Sequence, residues 1–350
     1  MGLLAVERRA PGDADEIFRL YQDVFGAEMT EASRRRWRWQ YADNPATPAG
    51  GPEIWVARDG DLILGQYASM PVRLWWGGRE VRSSWGMDVF LRAEARGRGL
   101  GERLFTAWSD HVDVALGLGL TESSYGLFKK LRYHDVGPVP FMRKVIDPRA
   151  VAARRLGRAL GQAAGPILGA AWDALHPEKP VDGAGVTVGT VTGFGAAYDT
   201  LWERARAGYA MCVRRDAAYL EWKYARCPHR RYDLREARRE GELVGFAVSR
   251  HEDYRGLRLG WIVDVFAETA DHAARGALIA SVLESFREAG VARAQAFSLN
   301  AGLRQDLAAQ GFAEAASPMQ FCVRARVPSD GVFEDVGRWH VVFGDSDMDR

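Results

Sequence analysis

"RAEARGRGLGERLF", residues 92–105, sets three glycines and four arginines across the point where a turn runs into a helix. Gly97, Gly99 and Gly101 strip side chains from the turn, so its backbone can approach a ligand closely and take angles that other residues avoid. Arg96 and Arg98 add positive charge. At the first turn of a helix the backbone N–H groups have no internal partner and the helix dipole is positive. The preceding "SWGMDVFL" (84–91) reads as a strand. Strand, glycine turn and helix together point to an anion seated on the helix N-terminus; a lone Gly-x-Gly would indicate only a turn.

Working outward, the chain repeats itself. "WQYADNP" (39–45) returns as "WKYARCP" (222–228), "VARDGDLILGQYAS" (56–69) as "EARREGELVGFAVS" (236–249), and "MDVF" (87–90) as "VDVF" (263–266), which sets Asp88 against Asp264. "DADEIFRLYQDVF" corresponds to "FGAAYDTLWERA", and "LFKKLRY" to "DLAAQGF". Markers kept in order at an offset of about 180 residues mean two copies of one domain. In each copy a strand, an amphipathic helix and a W-x-Y segment lead into antiparallel strands joined at Asp-Gly or Glu-Gly turns. A long helix follows. In the first copy it is read as residues 101–116, with Leu104, Phe105, Trp108, Val112 and Ala115 on one face; in the second as 276–290, with Leu278, Ile279, Val282, Leu283 and Phe286. The expected fold is α/β (α+β): two tandem domains, each a mixed, mostly antiparallel sheet flanked by helices. The boundaries read 1–146 and 186–327, with a helical connector at 147–185 and a tail at 328–350. Arg154, Arg155 and Arg158 beside apolar residues leave a membrane-surface helix as the alternative for the connector.

Composition narrows the function. Of 350 residues, 47 are lysine or arginine and 46 aspartate or glutamate, a formal charge of +1 that gives no global reason to expect nucleic acid or an acidic membrane. No apolar run reaches the length of a membrane span, and a cytoplasmic protein is expected. Cys212, Cys227 and Cys322 lie far apart with no Cys-x-x-Cys spacing, which argues against a disulfide framework or a zinc site. No metal is expected.

The pattern Arg96-x-x-Gly99-x-Gly101 at a strand-to-helix junction resembles the GCN5-related N-acetyltransferase family, whose signature there is Gln/Arg-x-x-Gly-x-Gly/Ala. The resemblance implies acetyl-CoA as co-substrate. Amides of Arg96, Gly97, Arg98, Gly99, Leu100, Gly101 and Glu102 would hold its pyrophosphate, and the backbone of Val89, Phe90 and Leu91 would pair with the pantetheine arm like another strand, where two parallel strands open at a bulge. The second copy has "DHAARGAL" in place of "RGRGLG", so it is read as a degenerate copy that completes the acceptor pocket.

Acyl transfer to an amine needs a base, since an amine of pKa near 10 is mostly protonated at neutral pH. Asp88, before the loop, is the first candidate; its recurrence as Asp264 equally allows a bracing role. Glu122, placed at the end of the following strand, is the second, with a solvated surface residue as its alternative. The family's acid is a tyrosine in Asn-x-x-Ala-x-x-Leu-Tyr-x-x-x-Gly-Phe. Here "TESSYGLFKKLRY" departs from it and sets Phe128 at that position. Tyr125, Ser124 or solvent is left to protonate the thiolate, with packing as the alternative for Tyr125. The first copy has no cysteine, so direct attack is favoured over an acetyl-cysteine. Trp37, Trp39, Trp75 and Trp76 are candidate acceptor-groove aromatics, with Trp39 also a core candidate because it recurs as Trp222.

The reading is an N-acetyltransferase acting on a small amine, with a monomer or homodimer and no nucleic-acid or membrane partner expected. Its rivals are a non-catalytic acyl-CoA-binding or scaffold protein, and transfer of another acyl group from a longer-chain, carrier-protein or aminoacyl-tRNA donor.

Overall fold

A computed structural model describes residues 4–156, 185–347 and 349. The first half runs β1 (Ala5–Arg8), α1 (Ala14–Phe25), α2 (Ala27–Trp37), β2 (Ile54–Asp59), β3 (Leu62–Trp76), β4 (Arg79–Leu91), α3 (Leu100–Ser109), β5 (Val114–Leu118), α4 (Glu122–Lys130), β6 (His134–Pro138) and β7 (Phe141–Val145). After α5 (Pro148–Leu156) the second half repeats the order. It runs β8 (Val186–Val191), α6 (Ala196–Ala205), β9 (Met211–Val213), α7 (Ala217–Leu220), β10 (Asp233–Arg239), β11 (Glu242–Tyr254), β12 (Leu257–Ala267), α8 (His272–Glu288), β13 (Arg293–Phe297), α9 (Ala301–Ala309), β14 (Ala313–Ala315), β15 (Gln320–Ala325) and β16 (Trp339–His340).

Two mixed sheets result, one ordered β1-β2-β3-β4-β5-β15-β6 and the other β14-β7-β13-β12-β11-β10-β8. The halves exchange strands. β7 lies antiparallel between β13 and β14, and β15 lies antiparallel between β5 and β6. Each sheet is thus completed by a strand from the other half. β9 also crosses over, pairing with Leu74–Trp76 of β3 on one side and with β16 on the other.

Apolar faces dictate the layering. One core cluster lies between the sheets and draws on both halves, including Met70, Trp85, Trp202, Phe246, Phe321 and Trp339. Two others lie under the helices, around Phe105, Trp108 and Phe128 in the first half and around Leu278, Val282 and Phe286 in the second. Each large buried side chain stabilises by about 1.5–3 kcal/mol. The W-x-Y segments are single π-helical turns, Arg38–Ala42 and Glu221–Ala225, and they meet through reciprocal contacts of Trp39 and Trp222. The indole of Trp39 donates to the carbonyl of Trp222 at 2.7 Å, that of Trp222 donates to the carbonyl of Trp39 at 2.7 Å, and the rings stack 5.2 Å apart.

The structure corrects several expectations. α3 ends at Ser109, so Val112 and Ala115 are not on it; parallel pairing of Val114–Leu116 with Ser83–Trp85 draws that segment into β5. Glu122 starts α4 rather than ending a strand, because the Thr121 side chain caps the helix by accepting from the Ser124 N–H. Trp75 and Trp76 are both buried and neither lines a groove: Arg206 packs over the Trp75 ring and the Trp76 indole donates to the Pro328 carbonyl at 3.0 Å. In the connector, α5 is helical and Arg154 donates to the Arg255 carbonyl at 3.0 Å; residues 157–184 lie outside the described residues. Cys212, Cys227 and Cys322 are free thiols. No described helix is long and apolar enough to cross a membrane.

Candidate active site

β4 and β5 are hydrogen-bonded only over Ser83–Trp85 and Val114–Leu116, then diverge. β15 flanks the opposite edge of β5 over its whole length, and among the described residues no strand pairs with the β5-facing edge of residues 86–91. A bulge marks the opening. Gln66 faces Phe90 and Ala68 faces Met87, so Asp88 and Val89 together oppose Tyr67, and Asp88 takes a left-handed φ of 45°. An extra residue of this kind bends a strand and re-aims its side chains. The result is an edge at Val89, Phe90 and Leu91 able to accept an extended arm as a further strand.

The edge leads into the glycine turn. Gly97 and Gly99 have φ of 73° and 76°, and a Cβ at either would meet nothing within 4 Å, so backbone angle rather than crowding demands glycine. Gly99 caps α3 in the left-handed conformation with no side chain bonded to its N-terminus. The first bond of the ladder is from Arg103 N–H to Gly99 C=O at 3.2 Å, which leaves the N–H groups of Gly99, Leu100, Gly101 and Glu102 without helical partners. Arg96 and Arg98 are exposed and form no ion pair among the described residues. The Glu102 carboxylate is neutralised by Lys130. Free amides, two free guanidiniums and a positive helix end fit the pyrophosphate of a coenzyme A thioester.

At the bulge, Asp88 is held from three sides. The Tyr41 hydroxyl donates to its carboxylate at 2.5 Å, Gln40 donates at 3.3 Å, and Gln66 donates to its carbonyl at 3.1 Å. The sequence reading missed Tyr41, Gln40 and Gln66. The repeat held the signal for the first of these, because Tyr41 and Asp88 recur as Tyr224 and Asp264, and the Tyr224 hydroxyl donates to Asp264 at 3.1 Å.

The other candidates stand apart. Tyr125 hydrogen-bonds the Asp135 carboxylate of β6, and that bond, with some desolvation, pushes its hydroxyl up to about 12. Lys129 packs over its ring. Ser124 contacts Thr121, and Glu122 is exposed without a partner among the described residues. Phe128 is buried against Phe105, Tyr133 and Gly117 as core packing. Trp37 packs on Phe18 and Tyr41 and Trp39 on Trp222, so of this segment's aromatics Tyr41 is the one bonded to Asp88. No described group of histidine, cysteine, aspartate or glutamate side chains could hold a metal.

At the corresponding helix start of the second half a carboxylate is in place. Asp271 caps α8, its carboxylate accepting from the Ala274 N–H at 3.0 Å and from both arms of Arg239 at 2.9 Å. A fixed carboxylate stands at the helix N-terminus that the first half leaves free.

Comparison with known proteins agrees with this geometry. Residues 6–115 match the family model described as acetyltransferase (GNAT) domain. Among curated proteins no match is found. Among solved structures, a GCN5-related N-acetyltransferase from Anabaena variabilis aligns at TM-score 0.63 with 13% identity, covering 92% of this chain and 73% of that one. One from Kribbella flavida aligns at 0.59 with 16% identity, covering 92% and 71%. Saccharomyces cerevisiae N-myristoyltransferase with bound myristoyl-CoA aligns at 0.55 with 12% identity, covering 93% and 80%. Residues 6–115 thus match an acetyltransferase (GNAT) domain, and the chain as a whole shares its fold with these solved structures.

Proposed function

We propose that the chain is a cytoplasmic N-acetyltransferase whose first half binds acetyl-CoA and passes the acetyl group to the amine of a small molecule. The observation that carries the reading is the continuous path from the free N-terminus of α3, along the unpaired edge of β4, to the carboxylate of Asp88. In this reading the loop from Arg96 to Glu102 fixes the pyrophosphate and Val89–Leu91 hold the arm. Asp88, ordered by Tyr41 and Gln40, takes the proton of the ammonium directly or through water. The neutral amine nitrogen then bonds to the acyl carbon as the carbon–sulfur bond breaks, and it sheds its surplus proton to water as the amide forms. Tyr125 or solvent returns a proton to sulfur; Tyr125 must first release Asp135.

Thiol release from acetyl-CoA across a panel of small amines tests the proposal. Turnover with at least one amine, lost in Asp88→Asn while acetyl-CoA affinity stays within about threefold, is the expected result. Binding without turnover on any amine would favour a scaffold role, which the burial of Phe128 at the family's tyrosine position supports. A longer acyl group is the second reading. Phe25 and Met29 at the α1–α2 junction are each 47% exposed, and Phe25 lies 4.8 Å from Phe90 on the edge of the slot. Faster turnover of octanoyl-CoA than acetyl-CoA would select it.

A further inference from the structure

The second half carries the same divergence of parallel strands as the first, but there the chain itself enters the opening. β12 and β13 pair only over Leu259–Ile262 and Arg293–Ala296, with a bulge that leaves Val263 without a partner on β11. On one side of the opening, Gly344 N–H donates to the carbonyl of Val263 at 3.0 Å. On the other, Leu299 N–H donates to the carbonyl of Val341 at 3.1 Å, and Ser298 bridges Val342. The segment is pinned on both flanks. His340 contacts Asp264 at 2.9 Å, Arg215 joins Asp345 at 2.6 Å and Asp264 at 3.2 Å, Lys223 donates to the Ser346 carbonyl at 2.8 Å, and Arg250 holds Asp349 at 2.5 Å. Gly344 is glycine for want of room: a Cβ there would meet the Tyr224 hydroxyl at 2.4 Å and Val263 Cγ1 at 2.9 Å.

We infer that residues 341–345 are an internal ligand of the second half, seated between β12 and β13 where, among the described residues, the first half leaves its slot open. The second slot is a strand-accepting site whose ligand is an extended peptide, the chain's own C-terminal segment. With the Asp271 carboxylate on the helix N-terminus, both parts of a coenzyme A site are filled from within, and the chain takes one acyl-CoA. The count of one rests on the function proposed above; the seating of the segment does not.

Hydrogen exchange on the full chain, without any thioester, tests the seating. The amides of Leu299 and Gly344 should exchange at least about 100-fold more slowly than in an unstructured peptide. Gly344→Val should release both together while the amides of α3 stay protected, and a synthetic peptide of residues 338–347 should restore protection at Leu299 in a saturable manner. Free exchange at both amides in the unmodified chain, or full protection in Gly344→Val, would overturn the inference. If Gly344→Val also exposes α3, the unmodified chain decides alone. Calorimetry with coenzyme A should give one site per chain. Two sites would overturn the inference, whereas none would count against the proposed function and leave the exchange result standing.

Discussion

The two halves carry the same strand order, the same bulge and the same tyrosine–aspartate pair, and they use them oppositely. Asp88 is partly exposed, with its carboxylate facing Tyr41 and Gln40 at the open end of a slot. Asp264 is fully buried, bonded by Arg215, Tyr224 and His340. Burial alone would push its carboxyl up, but Arg215 and the bond from His340 hold it below the ordinary aspartate range. In the proposed function one aspartate meets a substrate, while the other binds the molecule together. The difference lies in what reaches the divergent strands: in the second half the C-terminal segment arrives first.

The comparison can be broken by mutation. The largest effect is expected from Gly99→Glu, which sets a side chain at φ 76° and a carboxylate at the pyrophosphate position. Coenzyme A affinity should fall by at least about 100-fold in calorimetry with an unchanged circular dichroism spectrum, since each factor of ten is about 1.4 kcal/mol. In the second half Asp271→Ala should add no coenzyme A site and cost about 1 kcal/mol of stability as a lost cap.

Next in size are the paired aspartates. Asp88→Asn should lower kcat about 100-fold or more, in the range of a lost general base. Asp264→Asn should instead destabilise by about 3 kcal/mol, because it unbalances a buried ion pair, with kcat retained below the melting temperature. Kinetics paired with thermal melts distinguish these outcomes, and equal losses of kcat from both substitutions would sink the assignment. The tyrosines should follow the same split more weakly. Tyr41→Phe should move the acid limb of the kcat/KM profile to higher pH, since a carboxylate that loses a donor holds its proton more tightly. Tyr224→Phe should cost about 1 kcal/mol of stability and leave the profile in place.

The smallest effect concerns Lys223, the second half's counterpart of Gln40. Burial holds its ammonium below the usual lysine value of 10.5. The unfolded chain therefore binds this proton more tightly than the native one. Below the native pKa the penalty is present in full, and it is relieved as pH rises toward 10.5. The stability of the unmodified chain relative to Lys223→Met should thus improve as pH rises toward 10.5. A difference that stays flat in melts across that rise would contradict the sign.

Much of the site was legible because its chemistry is local. Gly97, Gly99 and Gly101 beside Arg96 and Arg98 predict an anion at a helix start from six residues, and Gly97 and Gly99 do take the left-handed backbone of such a turn. The pairing of Tyr41 with Asp88 could be traced only through the repeat, since 47 residues separate the two. Trp75 and Trp76 misled because what covers them comes from far along the chain, Arg206 over one ring and the Pro328 segment beside the other.

By itself, then, the sequence determined the duplicated α/β fold, the turn that marks the first slot and the aspartate at its end, all of which follow from short-range spacing and backbone preference. Only the tertiary structure decided that β7 and β15 change places and that residues 341–345 close the second slot. A strand's pattern states that it will pair, and its partner is chosen by long-range packing and buried charge, here Arg215 between Asp264 and Asp345, which no local periodicity encodes.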